Sequence, residues 1–210
     1  MRWLFVLLLI PNLAYGAVGE IGKVKGSGAI ERGNDSIAAV DGVGIKMEDT
    51  AVTANGKIQI DFLDDTRVDI TEHSRLFIDE FVYDPSNDVG SLSIKATLGT
   101  VRYASGQIAK KYQQNVKIST PSATIAVRGT DFIMVVDELG GSMITLLPSC
   151  DEDMQCYTGE IEVETDAGFV ILNQAFQATQ TTHNMRPPGK PYVIGLPEER
   201  INQLLILRKR

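Results

Sequence analysis

Much of the chain between residues 58 and 172 is written in period two. Ile58-Gln59-Ile60-Asp61-Phe62 alternates apolar with polar, Asp64-Asp65-Thr66 interrupts it, and Val68 and Ile70 take the alternation up again. Residues two apart lie on one face of a β-strand, so such a segment buries one face and wets the other. The same reading predicts strands at Leu76–Tyr83, Leu92–Ala96, Thr100–Ala104, Val116–Thr120, Thr124–Val127, Phe132–Val136, Met143–Leu147, Glu160–Glu164 and Phe169–Leu172. Turn-forming clusters separate them, at Asp84-Pro85-Ser86-Asn87, Gly99, Gly106, Gly140-Gly141 and Asp166-Ala167-Gly168. One strand and turn every roughly eight to twelve residues predicts an all-β fold of stacked antiparallel hairpins. Helical periodicity is nearly absent before residue 196.

The two ends break this pattern. Met1-Arg2 is a short positive start, Trp3 to Ile10 is an unbroken apolar run, and Ala14-Tyr15-Gly16 offers small residues at a cleavage site. The run is short for a membrane span, which predicts a removable signal peptide over 1–16, a mature chain starting at Ala17, and a periplasmic or secreted location. Residues 17–185 then form the β-domain. At the far end, Asn184–Pro191 holds three prolines and a glycine and reads as an extended linker. Pro197, Glu198 and Glu199 open a short helix over 197–208, with Arg208-Lys209-Arg210 at its close, an order that complements the helix dipole. Ile201, Leu204, Leu205 and Arg208 share a face, which would dock on the chain's own domain, on a partner or on an anionic membrane surface.

Composition narrows the function classes. With 210 residues, 43% apolar and 22% charged, the chain suits one globular domain. Its net charge is -7, and without the basic tail (residues 186–210) and Arg2 it holds 13 basic and 25 acidic residues, or -12. A body that acidic argues against a nucleic-acid partner. Cys150 and Cys156 bracket five residues between two strand-like runs, and in an oxidising compartment they predict a local disulfide. Asp151-Glu152-Asp153 between them lacks the alternating ligand spacing of a calcium loop, so no metal is expected.

Catalytic signals are sparse. His73 and His183 are the two histidines, and neither stands in a nucleophile or metal motif. There is no Gly-x-Ser-x-Gly, His-Glu-x-x-His or phosphate-binding glycine loop. Asp64, Asp65 and Asp69 read as hairpin-turn and solvent-face residues, and His73 as an exposed turn residue. The expectation is a protein that is not an enzyme, with no catalytic residue and no cofactor.

Three segments in order carry a resemblance: Asp49-Thr50-Ala51-Val52-Thr53, Phe62-Leu63-Asp64-Asp65-Thr66-Arg67-Val68 and His73-Ser74-Arg75-Leu76-Phe77-Ile78-Asp79. A fourth is Val116 to Phe132, with Thr120-Pro121 followed by Val127-Arg128-Gly129-Thr130. Together they resemble the FecR domain over about residues 38 to 180. The resemblance implies a periplasmic β-domain, solenoid-like or a roll, that binds other proteins in envelope signalling. In the full signalling version a cytoplasmic segment and a membrane helix come first. Here the signal peptide leads almost directly into the β-domain, so the resemblance implies a standalone exported form without its own sigma-regulating segment.

Within that fourth segment, Thr120-Pro121 marks a turn, since proline offers no ladder donor. Ile125 and Val127 point inward, but the next apolar set falls at Phe132, Met134 and Val136, so the inward phase slips near Gly129. A bulge or bend at the glycine accounts for the slip. Arg128 would then tie turn carbonyls or an acidic side chain such as Asp131, or else receive an anionic ligand. Thr120, Pro121, Arg128, Gly129 and Thr130 are thus a structural motif in the first reading. Function stays open between a protein-binding or signal-sensing module whose partner is another envelope protein, a structural envelope or surface protein, and a small-ligand or glycan binder.

Overall fold

The computed structural model describes residues 16–150 and 155–195. Almost all of the expected signal peptide and the expected helix at 197–208 lie outside the described residues. What is described is mostly β-strand.

The first half comprises β1 (Gly19–Arg32), β2 (Asp35–Ala38), β3 (Gly44–Ile45), β4 (Thr50–Phe62), β5 (Arg67–Ile70), β6 (Arg75–Asp84) and β7 (Val89–Ala104). β1 runs antiparallel to β4 along nearly its whole length, while β2 and β3 pair with its other edge. β4 pairs with β5 and β6, and both of these pair with β7, so β5 and β6 together form one row between β4 and β7. Register places β5 and β6 end to end between their neighbours: Ile70 lies between Ile58 and Val101, and Arg75 between Val52 and Leu98. Hydroxyl groups fill the gap between them, Thr71–Ser74. Ser74 N donates to Thr53 Oγ1 at 2.9 Å, Thr53 Oγ1 donates to Thr71 O, and Thr100 N donates to Ser74 Oγ at 3.0 Å. These bonds replace ladder bonds that the break removes. Gly99, expected as a turn, lies inside β7 instead. Its φ is +84°, and a Cβ there would sit 2.2 Å from Ser74 Oγ, so glycine lets the strand bend past the hydroxyl without ending.

Helix α1 (Gln107–Lys111) and a single turn at Gln113–Asn115 lead into β8 (Val116–Ser119), β9 (Thr124–Arg128), β10 (Asp131–Val136) and β11 (Ser142–Leu147). Then come β12 (Ser149–Cys150), β13 (Cys156–Tyr157), β14 (Glu160–Thr165), β15 (Gly168–Leu172), β16 (Gln177–Thr181) and β17 (Tyr192–Val193). β7 carries two branches on its second edge. One runs β8–β9–β14–β15 and the other β10–β11–β16–β17. The β7–β8 pair is parallel, Leu92 opposite Val116, which corrects the expectation of antiparallel hairpins throughout. The helix is the reason: it returns the chain to the start of β7, the crossover that parallel pairing requires. The strands from β1 to β11 and from β14 to β17 thus belong to one sheet that divides into two branches at β7.

One apolar core runs under the sheet and both branches, with Phe62 stacked on Phe81 and Tyr103 tilted against Phe132 at 5.3 Å between ring centroids. Cys150 and Cys156 face each other across the small β12–β13 ladder and form the expected disulfide. The proline-rich segment opens in a turn, where Arg186 N donates to His183 O at 3.1 Å, and is fastened beyond it: Gly189 N donates to Gln180 O at 2.8 Å, Thr179 Oγ1 donates to Gly189 O at 2.6 Å, and β17 pairs with β16.

Candidate interaction face

The motif predicted between Thr120 and Phe132 joins the two branches. At its start, Thr120 N donates to Ala123 O at 2.8 Å and Ala123 N donates back to Thr120 Oγ1 at 3.1 Å, closing the Thr-Pro turn. Ser122 Oγ lies 2.9 Å from Ser142 Oγ and 2.8 Å from Thr181 Oγ1, and Ser142 Oγ donates to Thr120 Oγ1 at 2.8 Å. This buried hydroxyl chain fastens the β8–β9 turn to β11 and β16. Pro121 caps it from outside, packed against Gly140.

At the motif's other end, Gly129 has φ +68° and is the step by which the chain leaves one branch for the other. The inward phase does slip there: Ile125 and Val127 are buried before it, and Phe132, Met134 and Val136 after it. Thr130 is buried, and its carbonyl accepts from Ser105 Oγ at 2.6 Å. Arg128 does not turn inward. It lies half-exposed along the surface, with Nη1 2.8 Å from Oε1 of Glu160, the residue directly opposite on β14. Asp131 is answered by Arg102 instead, at 3.5 Å and almost fully buried.

The carboxylates read from sequence as turn and solvent-face groups divide differently. Asp65 and His73 are exposed, both at positive φ in turns. Asp64 is fully buried: its carboxylate accepts from Thr66 N at 3.1 Å, Thr66 Oγ1 at 2.8 Å and Ile108 N at 3.0 Å, and its carbonyl accepts from Gln107 N. It therefore seats the start of α1. Asp69 is also buried, 3.4 Å from Lys57 Nζ. Asp49, with no exposure, takes a two-pronged bond from Arg32 at 2.7 Å through each oxygen. Each buried charge thus meets a group that holds the frame. Burial, aided by the nearby Asp64 charge, pushes the Tyr103 phenol well above its ordinary range.

What faces solvent is a continuous sheet surface on β6, β7, β8, β9, β14 and β15. One recess on it is lined by Asp79, Ser93, Lys95, Asn115, Lys117 and Ser119. A second, sharing Thr124 with the first, is lined by Thr120, Pro121, Glu164, Asp166 and Asn184. In the first, Lys95 lies 3.0 Å from Asp79, and this bond and that from Ser93 hold the Asp79 carboxyl below its usual range. Toward β15 the balance shifts to Glu162 and Glu164, flanked by exposed Phe169 and Ile171. Sequence reasoning missed this corner. The available signal was the run Phe169-Val170-Ile171-Leu172, apolar on both faces of its strand. Among the described residues no helix is long and apolar enough to cross a membrane.

Two crystal structures of a proposed anti-sigma factor from Parabacteroides distasonis are similar to this chain, at 12% and 13% identity with TM-scores of 0.45 and 0.46. Each alignment covers 67% of this chain and 56% of the other, so the chain spans just over half the length of that protein. No curated protein matches the chain. The family model described as FecR protein matches residues 49–148. That span takes in all four resembling segments, from Asp49 through Phe132, together with strands β4 to β7 and the turn at Gly129. The chain carries a FecR domain over residues 49–148.

Proposed function

We propose that this chain is an exported, non-catalytic FecR-type module that senses or relays a signal by binding another envelope protein. The observation that carries the reading lies inside the FecR domain. Its buried charged groups face ion-pair or backbone partners inside the frame, and the open sheet beside them presents charges and hydroxyls over a broad, shallow surface. Shallow, polar and extended surfaces suit a macromolecular partner better than a small substrate, which is usually enclosed in a deep, mostly apolar pocket. His73 in its exposed turn, and His183, whose Nδ1 accepts from Met185 N, stand apart from these recesses in support of a binding role.

Crosslinking a tagged chain in intact cells, followed by mass spectrometry of the envelope fraction, tests this. The expected result is one defined protein partner and an N-terminus at Ala17. Recovery of bulk wall material alone would favour a structural surface protein, and an intact Met1 on a membrane-held form would remove the export step.

A further inference from the structure

We propose that β15 is a docking edge, on which a partner protein lays an extended segment as an added strand, its residues alternating apolar with lysine or arginine. The proposal rests on the protein-binding reading above and names the surface for it.

β15 ends the sheet path and, among the described residues, pairs with β14 alone. A free edge presents unpaired backbone groups along its length, and proteins usually blunt it with a charge, a proline, a bulge or extreme shortness. The other edges show such devices. β2 is four residues long and begins with Asp35, and β17 is two residues long and follows Lys190-Pro191. β15 is five residues, Gly168-Phe169-Val170-Ile171-Leu172, with regular register to β14 and neither charge nor proline.

The side chains add a second, independent observation. Leu172 is buried and Val170 packs against the core, yet Phe169 is 60% and Ile171 39% exposed on the opposite face. An edge that merely closed a sheet would carry polar residues there, as the neighbouring β14 does on that face with Glu160, Glu162 and Glu164. Strand addition supplies main-chain hydrogen bonds for affinity and reads alternate side chains for specificity. On a strand laid beside β15, outward lysine or arginine side chains would lie over Phe169 and Ile171 toward Glu164 and Glu162, and the alternate apolar side chains would fall beside Val170 and Leu172 on the core face. Glu160 is paired with Arg128, but neither Glu162 nor Glu164 meets a basic side chain among the described residues. The surface therefore complements apolar residues interleaved with cations.

Fluorescence anisotropy of the exported chain against three labelled nine-residue peptides provides the test: alternating Val and Lys, alternating Val and Glu, and a scramble of the first. The Val–Lys peptide should bind, the other two should not, and the Phe169→Lys/Ile171→Lys double variant should weaken binding at least about tenfold while keeping the wild-type melting temperature. If that variant unfolds, Ile171→Thr replaces it, with the same expected direction. Equal binding of the scramble, or undiminished binding by the folded variants, overturns the proposal. So does sedimentation showing a dimer that the variants dissociate, since the occupant would then be a second copy. Should the crosslinked envelope partner be retained in full by variants altered at β15, the protein-binding reading stands and the docking edge falls.

Discussion

Asp64 offers the sharpest test of how this domain is held together. Its carboxylate is fully buried and answers three donors, Thr66 N, Thr66 Oγ1 and Ile108 N. Asp64→Ala removes all three acceptor contacts while leaving the donors out of water. A buried donor left without a partner costs about 1–3 kcal/mol, and water entering the space vacated by the side chain recovers part of that, so the expected loss is about 3–5 kcal/mol. Against a typical domain stability of about 5–15 kcal/mol, this is a large fraction. Asp64→Asn keeps one acceptor oxygen and should lose about half as much.

Urea unfolding followed by far-UV circular dichroism reads the change. The single tryptophan, Trp3, lies in the predicted signal peptide, so tryptophan fluorescence is not the probe of choice. Thr66→Ala removes the hydroxyl that donates to Asp64 and accepts from Gly106 N at 3.2 Å, and a double-mutant cycle with Asp64→Ala should show coupling above about 0.5 kcal/mol. A loss below about 1 kcal/mol for Asp64→Ala, with an unchanged urea slope, would refute the claim that this carboxylate seats α1.

Gly129→Ala should destabilise by about 1–3 kcal/mol, because φ is +68° while the nearest atom to an added Cβ is 3.8 Å away. The cost is then conformational, so Gly129→Asn should melt above Gly129→Ala in a thermal scan. Reducing Cys150–Cys156 reopens a seven-residue loop, and the urea midpoint should fall by the equivalent of about 2.4 kcal/mol in the chain-entropy model. Tyr103 has its pKa raised by burial, so the stability it contributes is complete below the ordinary tyrosine pKa of about 10 and is lost as pH climbs toward the folded value. Alkaline absorbance titration should show one tyrosine ionising only on unfolding, and Tyr103→Phe should remove that step.

The period-two segments were legible because each buries one face. Ile58–Phe62 and Phe132–Val136 fall inside strands whose alternate residues are buried, and Leu76–Tyr83 buries Leu76 and Ile78 before one register shift and Phe81 after it. β1 was not legible, although it is 14 residues long, because register shifts between Ile21 and Lys23 and between Gly26 and Gly28 break its alternation twice. β16, Gln177-Ala178-Thr179-Gln180-Thr181, hides for another reason: its buried positions include Thr179 and Thr181, which composition alone reads as loop. Asp64 and Asp69 were misplaced because a carboxylate in a turn is exposed unless some distant element supplies donors. Here the donors come from α1, 44 residues along the chain, and from Lys57 on the neighbouring strand.

The FecR match and the proposed docking edge occupy different stretches of sequence, and that separation has a physical logic. Residues 49–148 contain Asp49, Asp64, Asp69, Arg102, Gly129 and Asp131, whose burial or backbone conformation constrains what can replace them. A charge removed from such a site strands its partner in a poorly solvated interior, so these positions carry the frame. Glu162, Glu164, Phe169 and Ile171 lie beyond residue 148, on the solvent side of β14 and β15, where substitution leaves the core intact. Partner choice can therefore change at the edge without disturbing the frame. Exchanging the outward residues of β14 and β15 should redirect binding at constant melting temperature, whereas exchanging the buried residues of β4 to β7 should alter stability first.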